Sequence, residues 1–135
     1  MRHLCLYFQV HQPFRLRHYR FFDIAKSDNY FDDGYNAFIM NKVAEKCYRP
    51  ANELMLELIQ NSKGRFKISY SISGTALDQF ELYAPDVLDS FKELAATGQV
   101  EFLAETAAHS LASLKSETEF RSCLLYTSPS PRDRQ

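Results

Sequence analysis

Leu4-Cys5-Leu6-Tyr7-Phe8-Gln9-Val10-His11-Gln12-Pro13-Phe14 is the stretch on which the fold of this chain turns. It opens as an apolar run of strand length and then abruptly presents His11, Gln12 and a proline. A continuous apolar run of this length suits a buried parallel strand. Pro13 has no backbone N–H to donate and biases Gln12 away from helix, so the strand is expected to stop there. An imidazole and an amide then stand at the carboxyl end of a buried strand, where α/β enzymes collect their ligands. The other reading is that His11 only satisfies a local hydrogen bond at a strand end. The pattern alone leaves both open.

Working outward, 135 residues suffice for one domain with a real core and hardly for two. Hydrophobic residues at 45% and charged residues at 24% are ordinary for a globular protein. A net charge of −1 argues against a nucleic-acid binder that works through overall charge. No apolar run approaches the roughly 20 residues that span a bilayer, so no membrane partner is expected. The first residues carry no small-residue cleavage site of the secretory kind. Cys5, Cys47 and Cys123 show neither metal-ligand spacing nor a disulfide framework, and a reducing cytoplasm is the expected compartment.

Residues 1–122 read as one packed unit. From Cys123 the chain changes character: Thr127-Ser128-Pro129-Ser130-Pro131 can continue neither a helix nor a central strand. Residues 123–135 resemble the conceptual translation of a transposase adapter used in sequencing libraries. They are therefore read as a non-native read-through tail, with a natural Pro-rich tail as the alternative, and are set aside from functional reasoning.

Residues 14–36 have little periodicity and are crowded with aromatics: Phe14, Tyr19, Phe21, Phe22, Tyr30, Phe31 and Tyr35. So long a connection is usually functional. Its aromatics could stack on sugar rings or bases, or could pin the loop to the domain. Ile39, Val43 and Cys47, with Met40, Ala44 and Tyr48 beside them, predict an amphipathic helix capped by Asn36 or Asp33. Pro50 suits the first turn of a second helix buried through Leu54, Met55, Leu58 and Ile59 and closed at Gly64. Residues 66–73 alternate as a strand. Gly74-Thr75 opens a helix with Ala76, Leu77 and Phe80, and Pro85 restarts one that Gly98 ends. Residues 100–104 form a third strand. The predicted fold class is α/β: βαβαβ order with parallel strands. Three strands cannot close a barrel, so the start of a longer barrel fits.

Parallel strands end on one rim. That rim would gather His11 and Gln12, then Ser73 and Thr75, then Glu105 and His109. Two imidazoles and a carboxylate could contact substrate hydroxyls. They could also ligate zinc, although no His-x-x-x-His or Cys-x-x-Cys spacing supports it. Glu101 lies inside the third strand and is expected to meet a partner within the sheet, and Asp78 and Glu81 face solvent.

Phe8-Gln9-Val10-His11-Gln12-Pro13 resembles the first signature of glycoside hydrolase family 57. Gly98-Gln99-Val100-Glu101-Phe102, with His109 eight residues after the Glu, is similar to its second. The proline that usually follows that His is absent, since Ser110-Leu111 follows. The resemblance covers residues 1–122. It implies the first part of a seven-stranded (β/α) barrel acting on α-glucans, with no cofactor, no metal and no nucleic-acid partner. It also implies a retaining mechanism, which needs two carboxylates about 5–5.5 Å apart. In the family these are a Glu of the third signature and an Asp of the fourth. Both are expected beyond this chain, which would then lack turnover and leave an edge strand and apolar faces uncovered. His11, Gln12, Glu105 and His109 would bind substrate, with Glu101 supporting them from behind. Two other classes stay open: a metal-dependent deacetylase or zinc mannosidase-like barrel, and a carbohydrate-binding module using the aromatics of residues 14–36.

Overall fold

The structure, a computed structural model, describes residues 3–127. Strand β1 is Tyr7–Val10, β2 Ile68–Ile72 and β3 Val100–Leu103. Between β1 and β2 lie helix α1 (Asp33–Val43), a wide π-type turn at Ala44–Tyr48, and α2 (Arg49–Asn61). Between β2 and β3 lie α3 (Gly74–Tyr83) and α4 (Pro85–Ala96), and α5 (Glu117–Thr127) follows β3. The strands are parallel in the order β1-β2-β3. Parallel neighbours require a crossover, and the two helix pairs supply them. The expected βαβαβ order is therefore observed.

The register divides the sheet by chemistry. Phe8, Tyr70 and Phe102 align across the three strands, as do Tyr7, Ser69 and Glu101 on the alternate face. The first face packs on helices: the Tyr70 ring lies 5.5 Å from Phe91 of α4, 5.6 Å from Phe8 and 6.0 Å from Phe102. Val10, Ile68 and Tyr70 there join Met40, Ala44, Ile59, Phe80, Phe91 and Leu94 in one core. The other, inner face is polar, with Tyr7 Oη 2.7 Å from Ser71 Oγ and Ser69 Oγ donating to Glu101 Oε2 at 3.5 Å.

Burial of β1 differs from expectation. Only Val10 is buried, whereas Leu4 is 86% and Tyr7 51% exposed. β1 has one sheet neighbour among the described residues, and a cavity rather than a packed layer lies against Tyr7 and Gln9 on its inner face. The doubly covered strand is β2, between its two neighbours.

The helices bury much of the predicted stripes, Met40, Ala44, Ile59, Ala76 and Phe80 among them, but the stripes shift at Cys47, Leu54 and Leu58. The chain runs through the π-type turn without a break, and its buried line is Asn36, Met40 and Ala44, with Tyr48 half-buried and Cys47 exposed. The cap is Asp32, whose Oδ1 accepts from Tyr35 N at 2.9 Å. In α2 the inward face is Asn52, Met55, Leu56 and Ile59, while Leu54 and Leu58 are exposed. Asn52 fixes this face: it is 3% exposed and its Nδ2 donates to Ser90 Oγ of α4 at 2.8 Å. A buried amide must keep its partner, so the helix rotates to serve it. Gly64 and Gly98 do adopt positive φ (80° and 69°) just past α2 and α4, as expected of such caps.

Residues 14–36 form a finger whose base is tied down. Arg15 N donates to Asn36 Oδ1 at 2.9 Å and Asn36 Nδ2 returns a bond to Arg15 O, while Leu16 and Phe31 form an antiparallel bridge. Phe14 packs on Phe31 and Tyr19 on Tyr30, whereas Phe21 and Phe22 at the tip stay exposed. The boundary expected after residue 122 falls inside α5, and residues 128–135 of the expected tail lie outside the described residues.

Candidate functional site

The strand ends deliver side chains to one place on the inner face. His11 directly follows β1. Ser73 directly follows β2 and caps α3, accepting from Ala76 N at 3.3 Å. The same hydroxyl lies 2.8 Å from His11 Nδ1. Glu105 comes two residues after β3, and the chain then turns tightly to bring His109 back. In that turn His109 N donates to Thr106 O, Ser110 N donates to the buried Thr106 Oγ1 at 2.7 Å, and His109 itself has φ 54°. The turn leans on α3: Thr75 N donates to Ala107 O at 2.9 Å. A Cβ on Gly74 would lie 3.1 Å from both Ala107 Cα and Cβ, so glycine is what permits this approach.

The result is a compact cluster. The His11 and His109 rings are 5.0 Å apart and tilted by 34°. His109 Nδ1 lies 2.5 Å from Glu105 Oε1, and Gln9 Nε2 donates to the same oxygen at 3.0 Å. Gln9 Nε2 is also 2.9 Å from His109 Nδ1. The Glu105 side chain is only 9% exposed. Burial acts to raise its pKa, but hydrogen bonding by Gln9 and His109, the neighbouring Ser71 hydroxyl and the charge of His109 when protonated outweigh it, and the carboxyl sits below its ordinary value. Its Oε2 is buried without a partner of hydrogen-bonding geometry, so Ser71 acts through proximity rather than through such a bond. Burial and the neighbouring His109 ring lower the pKa of His11, offset in part by Glu105.

Proton positions follow from this. An ionised Glu105 must receive protons, so the neutral His109 ring carries its single proton on Nδ1 and presents Nε2 as an acceptor. The close approach of Gln9 Nε2 to Nδ1 is then a contact between two donors that share one acceptor. A cavity of about 220 Å³ opens beside the cluster, lined by Gln9, Ser71, Glu105, His109, Ser110 and Phe120 among others.

The structure thus brings three of the sequence-predicted residues together: His11, Glu105 and His109. Gln12 is held apart, where its Nε2 donates to Tyr48 Oη at 3.1 Å and its Oε1 accepts from Arg15. Its carbonyl also accepts from the buried Gln79. Glu101 lies on the inner face one row below the cluster, on Ser69, as a partner within the sheet. Ser73 joins the cluster through His11, and Thr75 through the loop contact. Gln9 was not singled out by sequence reasoning, although strand alternation carried the signal: a residue two before His11 shares its face. Among the described residues, no group of three His, Cys, Asp or Glu side chains is placed to hold a metal ion. The zinc reading therefore gains no ligand set.

With that geometry in hand, comparison with known proteins is decisive on family. A sequence model of glycosyl hydrolase family 57 matches residues 5–124. The chain belongs to glycosyl hydrolase family 57. A relative from Methanocaldococcus jannaschii, named "Putative alpha-amylase", is 46% identical over 119 residues. The match takes in 84% of this chain and 24% of the relative, so the chain spans about a quarter of that family member's length. The crystal structure of a 4-alpha-glucanotransferase from Thermococcus litoralis superposes with a TM-score of 0.62 at 18% identity. It covers 91% of this family 57 chain and 16% of the other, and at that identity the likeness concerns the fold.

Proposed function

We propose that this chain is the N-terminal arc of the (β/α) barrel of an α-glucan-acting glycoside hydrolase or transglycosidase, and that its inner sheet face holds sugar hydroxyls. The observation that carries this is the chemistry of that face in a family 57 chain. Two imidazoles and a carboxylate stand 5.0 Å and 2.5 Å from their neighbours at the strand ends, over a polar row of hydroxyls and amides. His11, Glu105 and His109 act as the hydroxyl-binding groups, while Gln12 acts from the helical side by fixing the chain after β1.

Retaining chemistry needs a nucleophile and an acid/base at about 5–5.5 Å separation. Neither Glu101 of β3 nor Glu105 just beyond it is assigned to that pair. Glu105 already shares Oε1 between Gln9 and His109, and Glu101 is engaged with Ser69. The pair is assigned to parts of the barrel outside this chain, so the chain alone binds without turnover. Residues 123–135 are proposed not to belong to the native unit. No described helix is long and apolar enough to cross a membrane, and Cys5 and Cys47 are exposed thiols without a disulfide. A cytoplasmic location suits both, and an α-glucan rather than a nucleic acid suits the near-neutral charge.

The test is titration of the 135-residue chain with maltoheptaose, followed by ¹⁵N NMR. Wild type should show saturable shifts around His11 and His109, and His11→Ala or His109→Ala should weaken binding on the order of tenfold each. Binding that survives both substitutions unchanged, or no binding to wild type, would defeat the proposal. The first of those results would instead favour the aromatics of residues 14–36.

A further inference from the structure

We infer that Gln9 is a positioning residue: by holding the Glu105 carboxylate it sets which nitrogen of His109 carries the proton. The inference rests on the proposed glucan site only for its consequence in binding, not for its geometry. β1 and β3 are not neighbours, since β2 lies between them. The β2 residue paired with Gln9 is the small Ser71, and Gln9 reaches past it to Glu105 just beyond β3, 96 residues away in sequence. Its amide orientation is forced, because turning it over would set its Oε1 against an ionised carboxylate.

The backbone of His109 is already fixed by the Thr106 turn and by Thr75 N bonding to Ala107 O. Its ring is not fixed by packing, as the side chain is 48% exposed. The tautomer is therefore decided by what Nδ1 meets, and that is Glu105 Oε1. Glu105 in turn has one oxygen engaged and one buried oxygen without a partner in hydrogen-bonding geometry. Without Gln9, only the half-exposed His109 ring itself holds Oε1, and carboxylate and ring can rotate apart. His109 would then lose the bond that keeps Nε2 free of a proton. An imidazole released into water favours the Nε2–H form, which offers a donor where the site now offers an acceptor.

His11 supplies an internal control, because its Nδ1 partner is Ser73 rather than Gln9. The experiment is long-range ¹H–¹⁵N correlation of the imidazole nitrogens in the labelled 135-residue chain, recorded above the histidine titration range. The variants are Gln9→Met, which keeps length without a donor, and Gln9→Asn, whose amide is one methylene too short. Wild type should show His109 as the Nδ1–H form. Both variants should lose most of that form, with the His11 resonances unmoved, and should bind maltoheptaose about tenfold more weakly. An unchanged His109 tautomer in both variants, or an Nε2–H form already in wild type, would overturn the inference. A tautomer change without glucan binding by wild type would uphold the role of Gln9 and defeat the proposed substrate.

Discussion

The two faces of the three-stranded sheet are built from alternate residues of the same strands, yet they do opposite things. On the helix side Ile68 and Tyr70 are nearly inaccessible and belong to the core. On the inner side Ser69 and Ser71 trade hydrogen bonds with Glu101 and Tyr7. A one-residue step in a strand therefore separates what holds the fold from what meets a ligand. Damage to the first face should appear as lost stability, and damage to the second as lost recognition at unchanged stability. The largest effect should come from Phe80→Ala. Phe80 is fully buried in α3 and packs on Tyr48 and Phe91 at 5.1 and 5.7 Å. Truncation should cost about 3–5 kcal/mol, comparable with the whole stability of many domains, and urea unfolding should lose its cooperative transition.

Gly74→Ala tests the seam between the faces. The new Cβ must displace Ala107, whose turn carries His109. Overpacking of this kind costs about 1–3 kcal/mol. The expected signature is a moderate fall in urea midpoint together with displaced His109 resonances. A stability loss with His109 untouched would show that the α3 contact does not place the turn.

Ser73→Ala comes next, since Ser73 serves both faces at once. Its hydroxyl caps α3 through Ala76 N and also bonds His11. Removing the cap should cost about 1 kcal/mol by urea titration. The freed His11 should lose its tautomer preference while His109 keeps its own. Equal disturbance of both rings would mean that the cluster titrates and orders as a unit rather than through separate partners.

The sequence carried the seam better than the faces. Pro13, Gly74, Pro85 and Gly98 punctuate the chain at positions where backbone chemistry leaves few options, so element order and parallel topology were legible. Much of each buried stripe was legible too, in Met40, Ala44, Ile59, Ala76 and Phe80, but its edges were not. Cys47 and Leu54 look apolar enough to be core, but the π-type turn and the demand of Asn52 for Ser90 rotate the helices away from them. Periodicity records polarity, and it does not record a buried amide that must be satisfied. In the site, His11 and His109 were legible through their strand-end positions, and the family signatures marked both. Gln12 stood out for the same reason, yet alternation sends it to Tyr48 instead. Gln9 shows the reverse case: it looked like strand filler because its partner lies on a strand that is not its neighbour.

The smallest effect is on pH dependence, and His11 and Glu105 of the inner face give it the same sign. His11 has its folded pKa below the ordinary 6.5, through burial first and then the His109 ring. The unfolded chain therefore binds the proton more readily, and stability falls as pH drops below 6.5 through the folded value. Glu105 is also lowered, with burial opposing and the bonds of Gln9 and His109 and the nearby Ser71 hydroxyl prevailing, from an ordinary 4.5. Its contribution is complete above 4.5 and is lost as pH falls through the folded value. Stability should thus decline in two modest steps on acidification, the first in the histidine window and the second in the carboxylate window. Glu105→Gln should remove the second step in thermal unfolding followed against pH and deepen the first, since Glu105 no longer offsets the lowering at His11, and His11→Ala should remove the first. Because both groups lie on the inner face, the milder helix-face substitution Ile68→Val should lower the whole curve without changing its shape. A helix-face substitution that flattened either step would mean that the two faces are energetically coupled, and the separation drawn from strand alternation would fail.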